Sequence, residues 1–211
     1  MTRGTEDRTT SVSNVTVRVA RTRRDLEVVR ALFFEYRAWL VDHREVTAFA
    51  DPLLARGLRR MDQEIADLPG EYSPPRGALF VASGKNRPIG CAALRPWDED
   101  TVELKRLFVR TGSRSSGVGR RLAAKALEFA QQRGVQRVIL DTLPGMTAAI
   151  SLYRTMGFRA VPAYWANPVE SALYFEYRFD EAIPDGSTPA SRAKVGRGGR
   201  PTRPRNPTGS A

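Results

Sequence analysis

Thr101 to Leu122 reads TVELKRLFVRTGSRSSGVGRRL, a strand pattern that gives way to a Gly-Ser loop and then to a basic helix start. From Gly117 onward Val118, Leu122, Ala126 and Phe129 recur on one face of a helix that runs to about Arg133, with Gly134 as its terminator. Arg137 to Thr142 follows as a short, apolar strand. Strand, helix and strand in that order form a crossover, so the two strands on either side of the loop run parallel.

Upstream the pattern is different. Val15, Val17 and Val19 alternate with Thr16, Arg18 and Ala20, the period of a half-buried strand. Leu26, Val29, Leu32, Phe33, Tyr36 and Leu40 predict a helix over about 24–40. A second helix begins near Asp51 and Pro52, carries Leu54, Leu58, Met61, Ile65 and Leu68 on one face, and stops at Pro69 and Gly70. Ala78 to Ser83, a turn over Gly84 to Arg87, and Pro88 to Leu94 form a hairpin; a turn at Asp98 to Asp100 joins it to Thr101 to Val109. Connections this short permit only antiparallel neighbours. Downstream, a helix over about 146–156 ends at Gly157, and strands follow near 158–161 and 172–179. The expected fold is α/β: a mixed, mostly antiparallel central sheet of six to seven strands flanked by helices.

Arg114, Gly117 and Gly119 fit R-x-x-G-x-G between a strand and an amphipathic helix. Glycines there let backbone approach a ligand closely, and first-turn N–H groups with no partner in the helix face it. Taken alone, the same residues also describe a Gly-rich turn on a solvated basic face. A Walker loop is excluded, because Arg120 and Arg121 follow Gly119 where Lys-Ser/Thr would stand. A dinucleotide fingerprint lacks its third glycine and is inconsistent with the antiparallel hairpin, although Asp141 meets its acidic condition.

In order and motif the chain resembles the GNAT superfamily of acetyl-CoA-dependent N-acetyltransferases, from about Val15 to Phe179. VELKRLFV followed by RSSGVG carries one part of the likeness. Ala149, Leu152, Tyr153, Gly157 and Phe158 carry a second, resembling the family's A-x-x-LY-x-x-x-GF helix. Tyr164, Asn167, Pro168 and LYFEYRF add the closing strand region. The resemblance implies an acyltransferase fold and acetyl-CoA as co-substrate. Arg114, Ser115, Ser116, Gly117, Val118, Gly119 and Arg120 would cradle its pyrophosphate, mainly through backbone N–H groups. Leu107, Phe108 and Val109 would pair their backbone with its pantetheine arm, an N–H there stabilising the thioester oxyanion. Tyr153 matches the tyrosine that protonates the departing thiolate, and Glu103 the strand position of a general base acting directly or through water. Read from the residues alone, Tyr153 is a core tyrosine and Glu103, next to Lys105 and Arg106, one half of a cross-strand ion pair. Met146 stands where many members carry asparagine. Acetyl transfer would be direct, to a primary amine of a small molecule or peptide reached from the side of the two N-terminal helices and the 164–170 loop. Glu35, Asp42 and Glu45 are acids there that would attract a cation.

Composition narrows the field further. With 41% hydrophobic and 27% charged residues among 211, the bulk of the chain buries a core. Cys91 is the single cysteine, expected as a small buried hydrophobe, and His43 the single histidine, expected at a surface or helix end; disulfide and zinc scaffolds drop out and no metal site is expected. Phe33, Phe34, Tyr36 and Trp39 divide between core and substrate wall. The start is polar and no apolar run reaches bilayer length, so a cytoplasmic protein with no membrane partner is expected. Three segments are expected: a disordered 1–13, an acetyltransferase domain over 14–182 and a disordered basic tail over 183–211. Of the net charge of +11, +5 falls in that tail, with Arg192, Lys194, Arg197, Arg200, Arg203 and Arg205 against Asp185. It motivates a nucleic-acid-binding module as one alternative, but no nucleic-acid motif accompanies it, and weak contact by the tail is the most expected. A catalytically inactive acyl-CoA-binding protein is another alternative, and a homodimer stays open.

Overall fold

The computed structural model describes residues 15–42, 51–167, 169 and 171–180, with backbone alone for 51–56. The segments expected to be disordered and His43 and Glu45 lie outside the described residues. Seven strands form one sheet: β1 (Val15–Val19), β2 (Ala78–Gly84), β3 (Arg87–Pro96), β4 (Thr101–Val109), β5 (Arg137–Thr142), β6 (Arg159–Val161) and β7 (Leu173–Arg178). Their order is β1-β2-β3-β4-β5-β7-β6, and every neighbouring pair is antiparallel except β4 and β5. Among the described residues four α-helices accompany them: α1 (Arg23–Asp42), α2 (Asp51–Ala66), α3 (Val118–Gln131) and α4 (Thr147–Thr155). Predicted and observed bounds differ mainly by a residue or two at element ends. Among the described residues no helix is long and apolar enough to cross a membrane.

Local chemistry sets the connections. The β2–β3 turn is tight because Lys85 and Asn86 both adopt positive φ, 49° and 61°, which matches the twist of the strands that it joins. At the start of α1, Thr22 and Asp25 satisfy one another's backbone: the Asp25 amide donates to Thr22 Oγ1 at 3.1 Å, and the Thr22 amide to Asp25 Oδ2 at 3.0 Å. Arg18 of β1 donates to the same carboxylate, which ties strand to helix and, with those backbone amides, holds Asp25 well below the usual carboxylate range.

Alternation along the strands divides the core into two. Phe80, Leu94, Val102, Leu104 and Val138 face Leu122 and Ala126 of α3 and Tyr153 of α4. On the opposite face Leu79, Val81, Cys91, Ala93 and Phe108 meet Val29, Leu32 and Phe33 of α1 and Met61 and Ile65 of α2. Cys91 is fully buried, as expected for a small core residue, and Phe34 is exposed.

The β3–β4 ladder is interrupted where it matters. Ala93 pairs with Lys105 but Cys91 pairs with Phe108, so Arg106 and Leu107 together oppose Ala92. Arg106 holds φ at 57°, and the bulge bends the second half of β4. Gly90 makes room for that bend: a Cβ on it would lie 2.6 Å from the Phe108 carbonyl oxygen. Gly90→Ala is therefore expected to cost about 2 kcal/mol, lowering the melting temperature by roughly 5 °C in a thermal scan. An unchanged melting temperature would show that the bulge relaxes freely.

Candidate functional site

The parallel pair is short. Thr101, Val102 and Glu103 pair with Arg137, Val138 and Ile139, and beyond them β4 and β5 part. Past the fork a cleft of about 230 Å³ opens, bordered by Leu104 to Leu107 of β4, Asp141 and Thr142 of β5, α2, α4 and the β6–β7 connection. The parting follows from the bulge at Arg106, which turns β4 away from the line of β5.

The Gly-Ser loop lies between the end of β4 and α3. Ser115 and Gly117 adopt positive φ, 62° and 77°, and the Ser116 hydroxyl donates to the Ser113 carbonyl at 2.7 Å. Gly117 is the N-cap of α3 with no side-chain cap, and the first turn closes when the Arg121 amide donates to the Gly117 oxygen. The N–H groups of Val118, Gly119 and Arg120 thus have no acceptor within the helix and carry the positive end of its dipole. Gly119 also permits close packing with α4, since a Cβ there would meet Leu152 at 3.3 Å. The basic side chains are engaged around the loop: Arg114 stacks over Trp39 of α1 at 4.7 Å and donates to the Val109 carbonyl, and Arg120 donates to Thr155 Oγ1 at 2.7 Å. The anion-binding capacity of the loop is therefore mainly backbone. This geometry suits a diphosphate at α3 with a slender arm in the fork.

Tyr153 borders the cleft from α4, its ring against Phe158 and Phe175. Burial pushes its hydroxyl pKa up, so the phenol stays protonated at neutral pH and retains a proton to give. Met146 caps α4 and accepts from Thr142 Oγ1 through its sulfur at 3.3 Å.

Glu103 is fully buried and stands opposite Arg95 in the β3–β4 register. Arg95 donates to Glu103 Oε2 and to Glu71 Oε2, both at 2.6 Å, so the cross-strand ion pair expected of an acid beside Lys105 and Arg106 forms with Arg95 as the principal partner. The Tyr164 hydroxyl donates to Glu103 Oε1 at 3.1 Å. Lys105 lies 3.4 Å from both Glu103 and Asp141. Asp141 also accepts from Asn167 Nδ2 at 2.8 Å. Burial pushes the Asp141 carboxyl up, but Lys105 and Arg106 outweigh it and hold it below its ordinary range. Arg106 makes a two-pronged pair with Glu64 of α2 at 2.7 and 2.6 Å. Three cations, Arg95, Lys105 and Arg106, thus meet four carboxylates, Glu64, Glu71, Glu103 and Asp141.

The structure brings Tyr153, Leu107 and the strand that bears Glu103 to one cleft, yet the carboxylate that borders that cleft at the end of β5 is Asp141. Its signal in the sequence was a lone acid closing an apolar strand. Glu35, expected to attract a cation, is paired with Arg110 at 2.5 Å. Arg60 and Trp165 border the cleft although no motif marks them, and Asn167, part of the closing-strand likeness, borders it too.

A family model described as "Acetyltransferase (GNAT) family" matches residues 33–158. An uncharacterized N-acetyltransferase of Schizosaccharomyces pombe is 28% identical over 164 residues, 77% of this chain and 93% of that one. Human N-acetylaspartate synthetase is 37% identical over 125 residues, which cover 55% of this chain but only 41% of that protein. Among solved structures, the PaiA N-acetyltransferase of Thermoplasma acidophilum in complex with coenzyme A superposes with a TM-score of 0.61 at 15% identity, covering 78% of this chain and 99% of that one.

Proposed function

Because the chain belongs to the acetyltransferase (GNAT) family, we propose that it moves an acetyl group from acetyl-CoA directly to a primary amine of a small molecule or peptide. The observation that carries this reading is the parting of β4 from β5 beside the unpartnered first-turn amides of α3. Backbone from Arg114 to Arg120 would hold the pyrophosphate, and Leu107, Phe108 and Val109 would line the arm, with an N–H among them donating to the oxygen on which charge develops. Bound acetyl-CoA supplies the activated thioester.

The chain's own residues then divide the proton work. An amine attacks only when neutral, so its proton must leave. Asp141, at the cleft wall, receives the ammonium form, and Glu103 acts at one remove through the Tyr164 hydroxyl that it holds. Tyr153, which borders the cleft with its phenol protonated, donates to the departing sulfur. The reading includes a cytoplasmic setting and no more than weak polyanion contact by the basic tail.

Titration calorimetry with acetyl-CoA, followed by thiol release across a panel of amines, tests the proposal. Arg114→Glu places a carboxylate at the mouth of the cradle and removes the Trp39 stack, and is expected to weaken acetyl-CoA binding about tenfold or more. Absence of binding by the natural chain would sink the acetyltransferase reading; an unchanged affinity in the variant would remove Arg114 from the cradle.

A further inference from the structure

We infer that the acceptor is a free α-amino acid, with its amine toward Asp141 and its carboxylate held by the indole N–H of Trp165 and the guanidinium of Arg60. This deepens the acetyltransferase reading and rests on it.

Three observations converge. Trp165 borders the cleft from the β6–β7 connection, and its Nε1 is buried with no hydrogen-bond partner among the described residues. A buried donor left unsatisfied beside a cavity is explained if a ligand supplies the acceptor. Arg60 borders the same cleft from α2, with its guanidinium carbon 6.0 Å from the centre of the Trp165 ring, so a cation and a spare donor share one wall. Guanidinium and indole N–H are both donors, and a carboxylate accepts from both. At the inner end the cleft is bordered by two carboxylates of the network, Asp141 and Glu64, together with its cations Arg95, Lys105 and Arg106. Glu64 is committed to Arg106 through both oxygens, whereas Asp141 has Lys105 at 3.4 Å and the neutral Asn167 amide at 2.8 Å, so Asp141 is the acid with capacity to meet an ammonium. A ligand with an amine for Asp141 and a carboxylate for the Trp165 N–H and Arg60 uses these groups together, and its negative charge suits a cleft that four cations border, whereas a polyamine would place a cation against Arg60.

The test compares free L-amino acids with their primary amides in thiol release from acetyl-CoA. The comparison is stringent because the amide's amine is the less basic and is more often neutral, a bias against the expected preference. Free acids are expected to show a KM at least about tenfold below that of their amides. Trp165→Phe, which keeps the ring and removes the donor, and Arg60→Met are each expected to shrink this preference to within about threefold, acting on KM with little change in kcat. As a readout independent of turnover, L-phenylalanine or L-aspartate should raise the melting temperature of the natural chain saturated with coenzyme A, and the matching amide should not. Equal use of acids and amides, or a preference that survives both substitutions, would overturn the inference while leaving acetyl transfer intact. Failure to bind acetyl-CoA, with no amine consumed, would overturn both together.

Discussion

Replacing Tyr153 with phenylalanine is expected to lower kcat about a hundredfold, with the affinity for acetyl-CoA unchanged. The ring packs against Phe158 and Phe175, and phenylalanine preserves both contacts, so the variant folds and only the hydroxyl is lost. A thiolate leaving without a donor must depart as an anion. The missing proton transfer then raises the barrier by roughly 2.7 kcal/mol, the equivalent of that rate loss. Calorimetry and steady-state kinetics on the same preparation separate the two effects. Full activity in the variant would mean that water supplies the proton and that Tyr153 is a wall residue.

The second large effect concerns stability. Arg106→Ala is expected to destabilise the chain by about 3 kcal/mol at pH 7, because it leaves the largely buried Glu64 carboxylate with the Tyr72 hydroxyl but without its two-pronged cationic partner. The pH dependence has a defined sign. Burial pushes Glu64 up, yet the hydrogen bonds and charge of Arg106 prevail and hold it below the ordinary carboxylate value. A carboxylate lowered in the folded state contributes stability above its unfolded pKa, near 4.3, and loses it as the pH falls through the folded value. In the variant Glu64 protonates readily and costs less once neutral. The gap between natural chain and variant should therefore narrow between pH 7 and pH 3 in urea titrations. A gap that stayed constant would assign the loss to the backbone of the bulge.

Much of the architecture was legible because it rests on periodicity. The stripes of α1, α2 and α3 and the alternation of β1 locate these elements, and the short connections fix which strands run antiparallel. The crossover through α3 identifies the single parallel pair. What escaped is set by register and by irregular backbone. The pairing of Arg95 with Glu103 depends on how the Trp97–Asp100 turn closes, and a shift of one residue would have exposed both. Arg106 occupies the left-handed region without being glycine, so nothing in its identity announced the bulge. In the sequence Asp141 is only an acid at a spacing that suits another fold, and Trp165 belongs to a connection with neither period to follow. The motif residues thus specify where the acyl donor would lie. The acceptor wall comes from side chains whose meeting is tertiary.

The fork between β4 and β5 also bears on self-association. A sheet normally carries its unsatisfied backbone at its rims, where another polypeptide can add on and seed aggregates. Here the outer rims are brief, five residues in β1 and three in β6. The longer stretch without a partner on one side, Leu104 to Val109 of β4, faces the cleft beside α1, α2 and α4. The sheet's stickiest margin is thereby reserved for a thin guest and shielded from other copies of the chain.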